Sequence, residues 1–170
     1  MAELKDSGNR REFETGAVRD MAEGKGRCDL LPLDVIEEYL DDEILMYISS
    51  FQKHDNINSL YCAIDAFKEH FNDNEYTMFL EVAKHFEDGA KKYGDNNWQK
   101  GIPVKFYIGS GVRHYLKFKR GDTDEPHDRA FVWNMLCAIW TTIHHPELDD
   151  YRHAEYTVRY VDYNSSSRIR

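Results

Sequence analysis

His85-Phe-Glu-Asp-Gly-Ala-Lys-Lys-Tyr-Gly-Asp-Asn-Asn-Trp98 opens the stretch that decides the fold, and Arg113-His114, Asp124-Glu-Pro-His-Asp128 and Trp133-Asn134 continue it. Charged and amide side chains recur there inside segments that otherwise have the apolar spacing of buried helices. A buried charge is costly unless it is paired or bound to a metal. The stretch is therefore either a polar network inside a helical bundle or a metal and phosphate site. The second is the expectation carried forward.

Around this stretch the spacing predicts helices. One runs from about Tyr76 to Tyr93 with Phe79, Val82, Phe86, Ala90 and Tyr93 inward, and Gly94 suits its C′ position. Pro103 opens the next, over about 104–120. That helix carries Gly109 and Gly111, each costing about 1 kcal/mol against alanine, which predicts close approach of another backbone or of a ligand. Gly121 stops it. Asp124 is expected to cap the following helix, with Pro126 in its first turn and Pro146 at its end.

Upstream, Pro32 and Asp34 mark a helix start with Asp34 as N-cap, and Val35, Ile36, Tyr39, Leu40, Ile44, Leu45, Ile48 and Phe51 follow at helical spacing. Another helix spans about 57–71, with Leu60, Tyr61, Ile64 and Phe67 on its apolar face. The expected fold class is all-α, a bundle of about five helices within 32–150. Residues 1–31 hold four glycines and few large apolar residues. They predict an arm or loop, either solvated or holding a phosphate through backbone N–H groups, Lys25 and Arg27. In the tail, 151–170, Tyr156, Val158 and Tyr160 alternate. That pattern fits a short edge strand or an arm reaching a neighbouring subunit.

At 170 residues the chain has the length of one domain, and its net charge of −9 argues against polymeric nucleic acid and anionic membrane as partners. No apolar run approaches the roughly 18 residues of a membrane span. A soluble cytoplasmic protein is expected. Cys28, Cys62 and Cys137 form no CxxC pair; Cys62 and Cys137 sit among apolar residues and read as core thiols.

The candidate chemistry begins at Asp124, Glu125 and Asp128. Acids at a helix start complement the macrodipole by about 0.3–1 kcal/mol each. They also suit Mg²⁺ or Mn²⁺, which take oxygen ligands. His127 and Asn134 are seven apart, so they share a face that Thr141 continues. Glu87 is either a surface partner of Lys91 or a third carboxylate of the same cage. His127 either binds the metal, orients its water or is a satisfied core histidine. Arg113 and Lys117 are four apart with His114 beside them, and they suit phosphate oxygens and transition-state charge. Lys91 is a further candidate phosphate contact. Asn97 and Trp98 suit a base, or form a turn whose tryptophan packs on the bundle.

Assembled, these residues resemble the dATP/dGTP diphosphohydrolase N-terminal domain family, which is found largely in phages and prophages. That family is similar to the MazG-like all-α nucleotide pyrophosphohydrolases. The resemblance rests on Gly16-Ala-Val-Arg-Asp20, Gly24-Lys-Gly-Arg27 with Asp29-Leu-Leu-Pro32, His85-Phe-Glu with Gly89-Ala-Lys-Lys-Tyr-Gly94, Asn97-Trp98, Lys100-Gly-Ile-Pro103, Arg113-His114, Asp124-Glu-Pro-His127 and Trp133-Asn134. It implies hydrolysis of a purine deoxynucleoside triphosphate to monophosphate and pyrophosphate, with a divalent metal, in a homo-oligomer. Two departures stand out. Glu125-Pro-His-Asp128 matches the ExxD of MazG-like enzymes, but Glu87 is followed three residues on by Ala90, so an ExxE pair is missing. Residues 34–77 form an apparent insertion, a helical hairpin. On this resemblance Glu87, Asp124, Glu125 and Asp128 are the metal candidates, and His114 and His127 the catalytic ones. Lys25, Arg27, Lys91, Asn97, Trp98, Arg113, Lys117 and Asn134 are the substrate contacts.

Overall fold

The computed structural model describes residues 9–21 and 24–152. Among them are six α-helices: α1 Leu33–Leu40, α2 Glu43–His54, α3 Ile57–Phe67, α4 Glu75–Tyr93, α5 Val104–Arg120 and α6 His127–His144. The all-α expectation holds, with one helix more than expected. The helix expected across 35–51 breaks at Asp41, which turns left-handed (φ 50°), and Asp42 restarts the chain by accepting the Leu45 N–H at 3.0 Å. Asn56 and Asn74 cap α3 and α4 in the same way. Asp34 caps nothing and pairs with Lys53 at 3.4 Å. Asp124 is no cap either, because Pro126 takes that place in α6.

The core lies where α3, α5 and α6 meet. The Phe67 ring stands edge-on to Phe131 at 4.8 Å, to Phe118 at 5.1 Å and to Tyr115 at 6.1 Å. On α4 the buried residues are Met78, Val82 and His85; Val82 is buried and Phe86 packs on the core as expected, but Phe79 is exposed, so the face leans toward Met78 and His85. Tyr61 and Cys62 are exposed as well, so Cys62 is no core thiol, while Cys137 is buried.

Residues 10–20 are not a loose arm. Strands β1 (Arg10–Glu12) and β2 (Val18–Asp20) pair antiparallel, with Arg11 opposite Arg19. Long-range contacts hold this hairpin. Phe13 packs on Phe106 of α5 at 5.1 Å, Arg11 lies over both rings, and Ala17 is fully buried. Asn97, in the turn Asn97–Lys100, takes the Val18 N–H at 2.8 Å and donates to the Val18 carbonyl at 2.7 Å. The edge strand expected at 156–160 lies outside the described residues.

Both α5 glycines meet neighbours, as their cost predicts. A Cβ at Gly109 would lie 3.0 Å from Asp29 Cβ and 3.1 Å from the Asp29 backbone nitrogen; one at Gly111 would lie 2.3 Å from Met135 Cε. Met135 has a flexible end, but the Asp29 backbone does not. Gly109→Ala is therefore expected to destabilise the fold by about 1–3 kcal/mol, despite alanine's better helix propensity. Urea denaturation measures the loss.

Where α2 ends, Asp55 meets Asp149. Asp55 Oδ1 and Asp149 Oδ2 are buried without a donor, and a proton shared between the two carboxyls satisfies both. Burial, then Asp149, pushes the Asp55 carboxyl up to about 7. The folded chain then binds a proton that the unfolded chain releases near pH 4. That contribution to stability is present below pH 4 and is lost as pH rises to about 7. Asp55→Asn is expected to flatten this part of the stability curve, read by urea melts at pH 5 and pH 8.

Candidate functional site

The hairpin, the Gly24–Asp29 loop, α4, α5 and α6 enclose a cleft of about 1220 Å³. Its lining carries seven lysines and arginines against five acids, in a chain of net charge −9. Two of the cations set its character. Arg19 comes in on β2 and is half-buried, with its Nη1 out of solvent. Its Nη2 donates to Asn134 Oδ1 at 2.7 Å, its guanidinium lies 5.0 Å from the Tyr107 ring centre, and its Nη1 has no partner. Asn134 is held in turn by donating to the Ala130 carbonyl at 2.8 Å. Arg113, on α5, reaches Ser110 Oγ at 2.7 Å and the Gly26 carbonyl at 3.5 Å.

Among the described residues neither guanidinium has a carboxylate at ion-pair distance. Burial lowers the pKa of both; the Arg113 charge adds to the lowering at Arg19, while Cys28, Glu125 and Asp29 oppose it at Arg113. The remaining cations on the lining are mostly committed. Arg27 is bidentate to Asp29 at 2.8 and 2.6 Å, and Lys92 pairs with Asp20 at 2.6 Å. Two half-buried guanidiniums without an ion-paired carboxylate suit an anion.

Behind Arg19 stands an aromatic wall. Trp133 contacts Phe86, Tyr107 and His85 at ring distances of 5.8, 5.9 and 5.3 Å. His85 is buried, and burial with the charges of Arg129 and Arg19 lowers its pKa to about 3, so its imidazole is neutral. Its Nδ1 and the Trp133 Nε1 are buried without partners.

A histidine cluster sits at the far side of Arg113. His114 Nδ1 and His127 Nδ1 are 2.9 Å apart, and Glu125 Oε2 is 4.0 Å from His114 Nδ1. His127 Nε2 lies 2.9 Å from Asp124 Oδ1. Among the described residues two groups could hold an ion: His114 with Glu125 and His127, and Asp122 with Asp124 and His127. Only the first opens on the cleft, through His114 and Glu125. In the second, Asp122 is held by Arg120, and Asp124 by Lys117 at 3.2 Å. Burial, with Arg113 and His127 adding, drives the His114 pKa well down.

The expected cage is not assembled. Glu87 reaches the cleft rim but is mostly exposed and pairs with Lys91 at 2.6 Å, because the true inward face of α4 runs through His85. Asp128 turns to His70 at 3.4 Å and accepts the Arg129 N–H. Lys117 is held by Asp124 instead of reaching the cleft, and Lys91 stays with Glu87. Asn97 holds Val18 through its amide, and Trp98 packs between Phe86 and Trp140 at 5.3 and 5.0 Å. Asn97 and Trp98 line the cleft, as do Lys25, Arg27, Arg113 and Asn134. The expected polar stripe of α6 is buried at His127, Asn134 and Thr141. Sequence reasoning passed over Arg19 and His85 as site residues, although both stand in motifs that carried the resemblance.

No helix among the described residues is long and apolar enough to cross a membrane. No match was found among curated proteins or among solved structures. The dATP/dGTP diphosphohydrolase, N-terminal family matches residues 58–151, beginning inside the 34–77 stretch and taking in α3 to α6. The match spans a little over half of the 170 residues and includes Arg113, Asn134 and the histidine cluster. The chain belongs to the dATP/dGTP diphosphohydrolase N-terminal family.

Proposed function

We propose that this chain hydrolyses purine deoxynucleoside triphosphates to monophosphate and pyrophosphate, with a divalent cation, in the cleft of Arg19 and Arg113. One observation carries the proposal: two half-buried guanidiniums, neither ion-paired to a carboxylate among the described residues, face a cleft large enough for a nucleotide. The family description supplies the substrate class.

In this reading Arg113 and Arg19 hold phosphate oxygens, and Asn134 keeps Arg19 aimed. Lys25 and the Gly24–Gly26 backbone close over the phosphate chain from the mouth. The apolar wall of Phe86 and Trp133 takes the base. Neutral His85 accepts or donates one hydrogen bond without adding charge. Water attacks the α-phosphorus and pyrophosphate leaves, with the two guanidiniums balancing charge as it develops. His114, Glu125 and His127 are the donors that fit a divalent ion, Mg²⁺ or Mn²⁺ in the family-based expectation. Such an ion activates water and neutralises phosphate charge.

A second reading is nucleotide binding without turnover. It is favoured by the missing ExxE and by the failure of Glu87, Glu125 and Asp128 to converge. Incubation with a deoxynucleotide panel and Mn²⁺, followed by chromatography, separates the two. Monophosphate with pyrophosphate supports the hydrolase; binding without either product decides for the second. Exposed Tyr39, Tyr76 and Leu80 are apolar area that a dimer or tetramer would cover, and light scattering measures that state.

A further inference from the structure

We infer that His114, Glu125 and His127 form a two-histidine, one-carboxylate site that takes a first-row transition ion such as Mn²⁺ in preference to Mg²⁺, with Asp124 as its positioning residue. The inference shares its cleft with the proposed hydrolase but concerns the ion alone.

Asp124 Oδ1 lies 2.9 Å from His127 Nε2 and holds that side of the ring. The other ring nitrogen, Nδ1, lies 2.9 Å from His114 Nδ1, and these two nitrogens and a Glu125 oxygen lie within 4.8 Å of one another. A hydrogen bridges the two nitrogens when no ion is bound, and an ion facing both would take its place. Two nitrogens bound to one ion at about 2.1 Å and at right angles lie about 3 Å apart. Glu125 Oε2 completes the group and opens on the cleft.

The surroundings agree. His127 is 2% exposed, on a helix that α5 covers, so its ring cannot turn away. Donation from the ring's other nitrogen to a carboxylate is the usual way a protein fixes the tautomer of a ligating histidine. Asp124 is itself braced by Lys117 at 3.2 Å, which gives Lys117 a place in the site at one remove. The donor set decides the ion. Imidazole nitrogens suit transition ions, whereas Mg²⁺ is held by carboxylate, carbonyl and water oxygens. Two nitrogens and one oxygen leave Mg²⁺ a poor fit.

The test uses the full chain without nucleotide. Calorimetry is expected to give one Mn²⁺ per chain, bound at least about tenfold more tightly than Mg²⁺. Pulsed electron paramagnetic resonance of the Mn²⁺ form is expected to detect ¹⁴N coupling from imidazole. Asp124→Asn is expected to weaken Mn²⁺ by about 10- to 100-fold while keeping that coupling. His114→Gln and Glu125→Gln, checked for folding by thermal melts, are expected to weaken it further, and His114→Gln to reduce the nitrogen signal. Equal affinity for the two ions, Mn²⁺ bound without nitrogen coupling, or undiminished affinity in folded His114→Gln and Glu125→Gln overturns the inference. Monophosphate release by a chain that binds no ion at this cluster would sink the ion site and leave the hydrolase standing. Nitrogen-coupled Mn²⁺ in a chain that releases no product would do the reverse.

Discussion

Arg19→Met is expected to cost about 2–5 kcal/mol of transition-state stabilisation, roughly 30- to 5,000-fold in kcat/KM, while the melting temperature holds or rises. Methionine keeps the length of the side chain and its contact with Tyr107 and Trp133, and it removes the charge. The free protein holds that charge partly out of solvent, with no ion-paired carboxylate among the described residues. Replacing a buried charge by an apolar side chain of similar shape is often neutral or stabilising. A residue kept for architecture would behave in the opposite way, losing stability first and activity only as a consequence. The ratio of kcat/KM values and a thermal melt on the same sample distinguish the two. Asn134→Ala is the milder companion, since it frees Arg19 without removing it.

The second large effect is on stability. Phe67→Ala is expected to destabilise the fold by about 3–5 kcal/mol, from lost burial and the cavity left among Phe131, Phe118 and Tyr115. Urea denaturation provides the number. Phe67 belongs to α3, inside the 34–77 stretch that reads in sequence as an inserted hairpin. A loss of that size makes α3 part of the core that carries α5 and α6. A loss under about 1 kcal/mol would make it an appendage.

The helices from Glu75 onward were legible because their punctuation is strong. Asn74, Gly94, Pro103, Gly121 and Pro146 each stand at or within a residue or two of an observed boundary. What failed was the rotation of α4. Placing Phe79 inward beside Val82 and Phe86 turned the face away from Met78 and His85, although Val82 is buried and Phe86 packs on the core as expected. It hid His85, which is buried, and promoted Glu87, which is a surface partner of Lys91. The hairpin was not legible at all. Its strands are three residues each, with five of the six residues charged, and contacts some 80 residues away hold them, such as Asn97 to Val18. No local period encodes such contacts. Arg19 was lost with it, although Gly16-Ala-Val-Arg-Asp20 had been singled out as a motif. The acidic turn at the start of α6 was correctly located, yet its members divide their work. Glu125 faces the cleft, Asp124 holds His127, and Asp128 turns to His70. Helical spacing puts residues on a face but does not say which neighbour meets them.

The most direct test of the central claim is hydrolysis of dGTP or dATP with Mn²⁺ in ¹⁸O-labelled water, followed by mass spectrometry of both products. Attack on the α-phosphorus, with the triphosphate held by Arg19 and Arg113, predicts one ¹⁸O atom in the deoxynucleoside monophosphate and none in pyrophosphate. Label in pyrophosphate, or release of orthophosphate in its place, would contradict it.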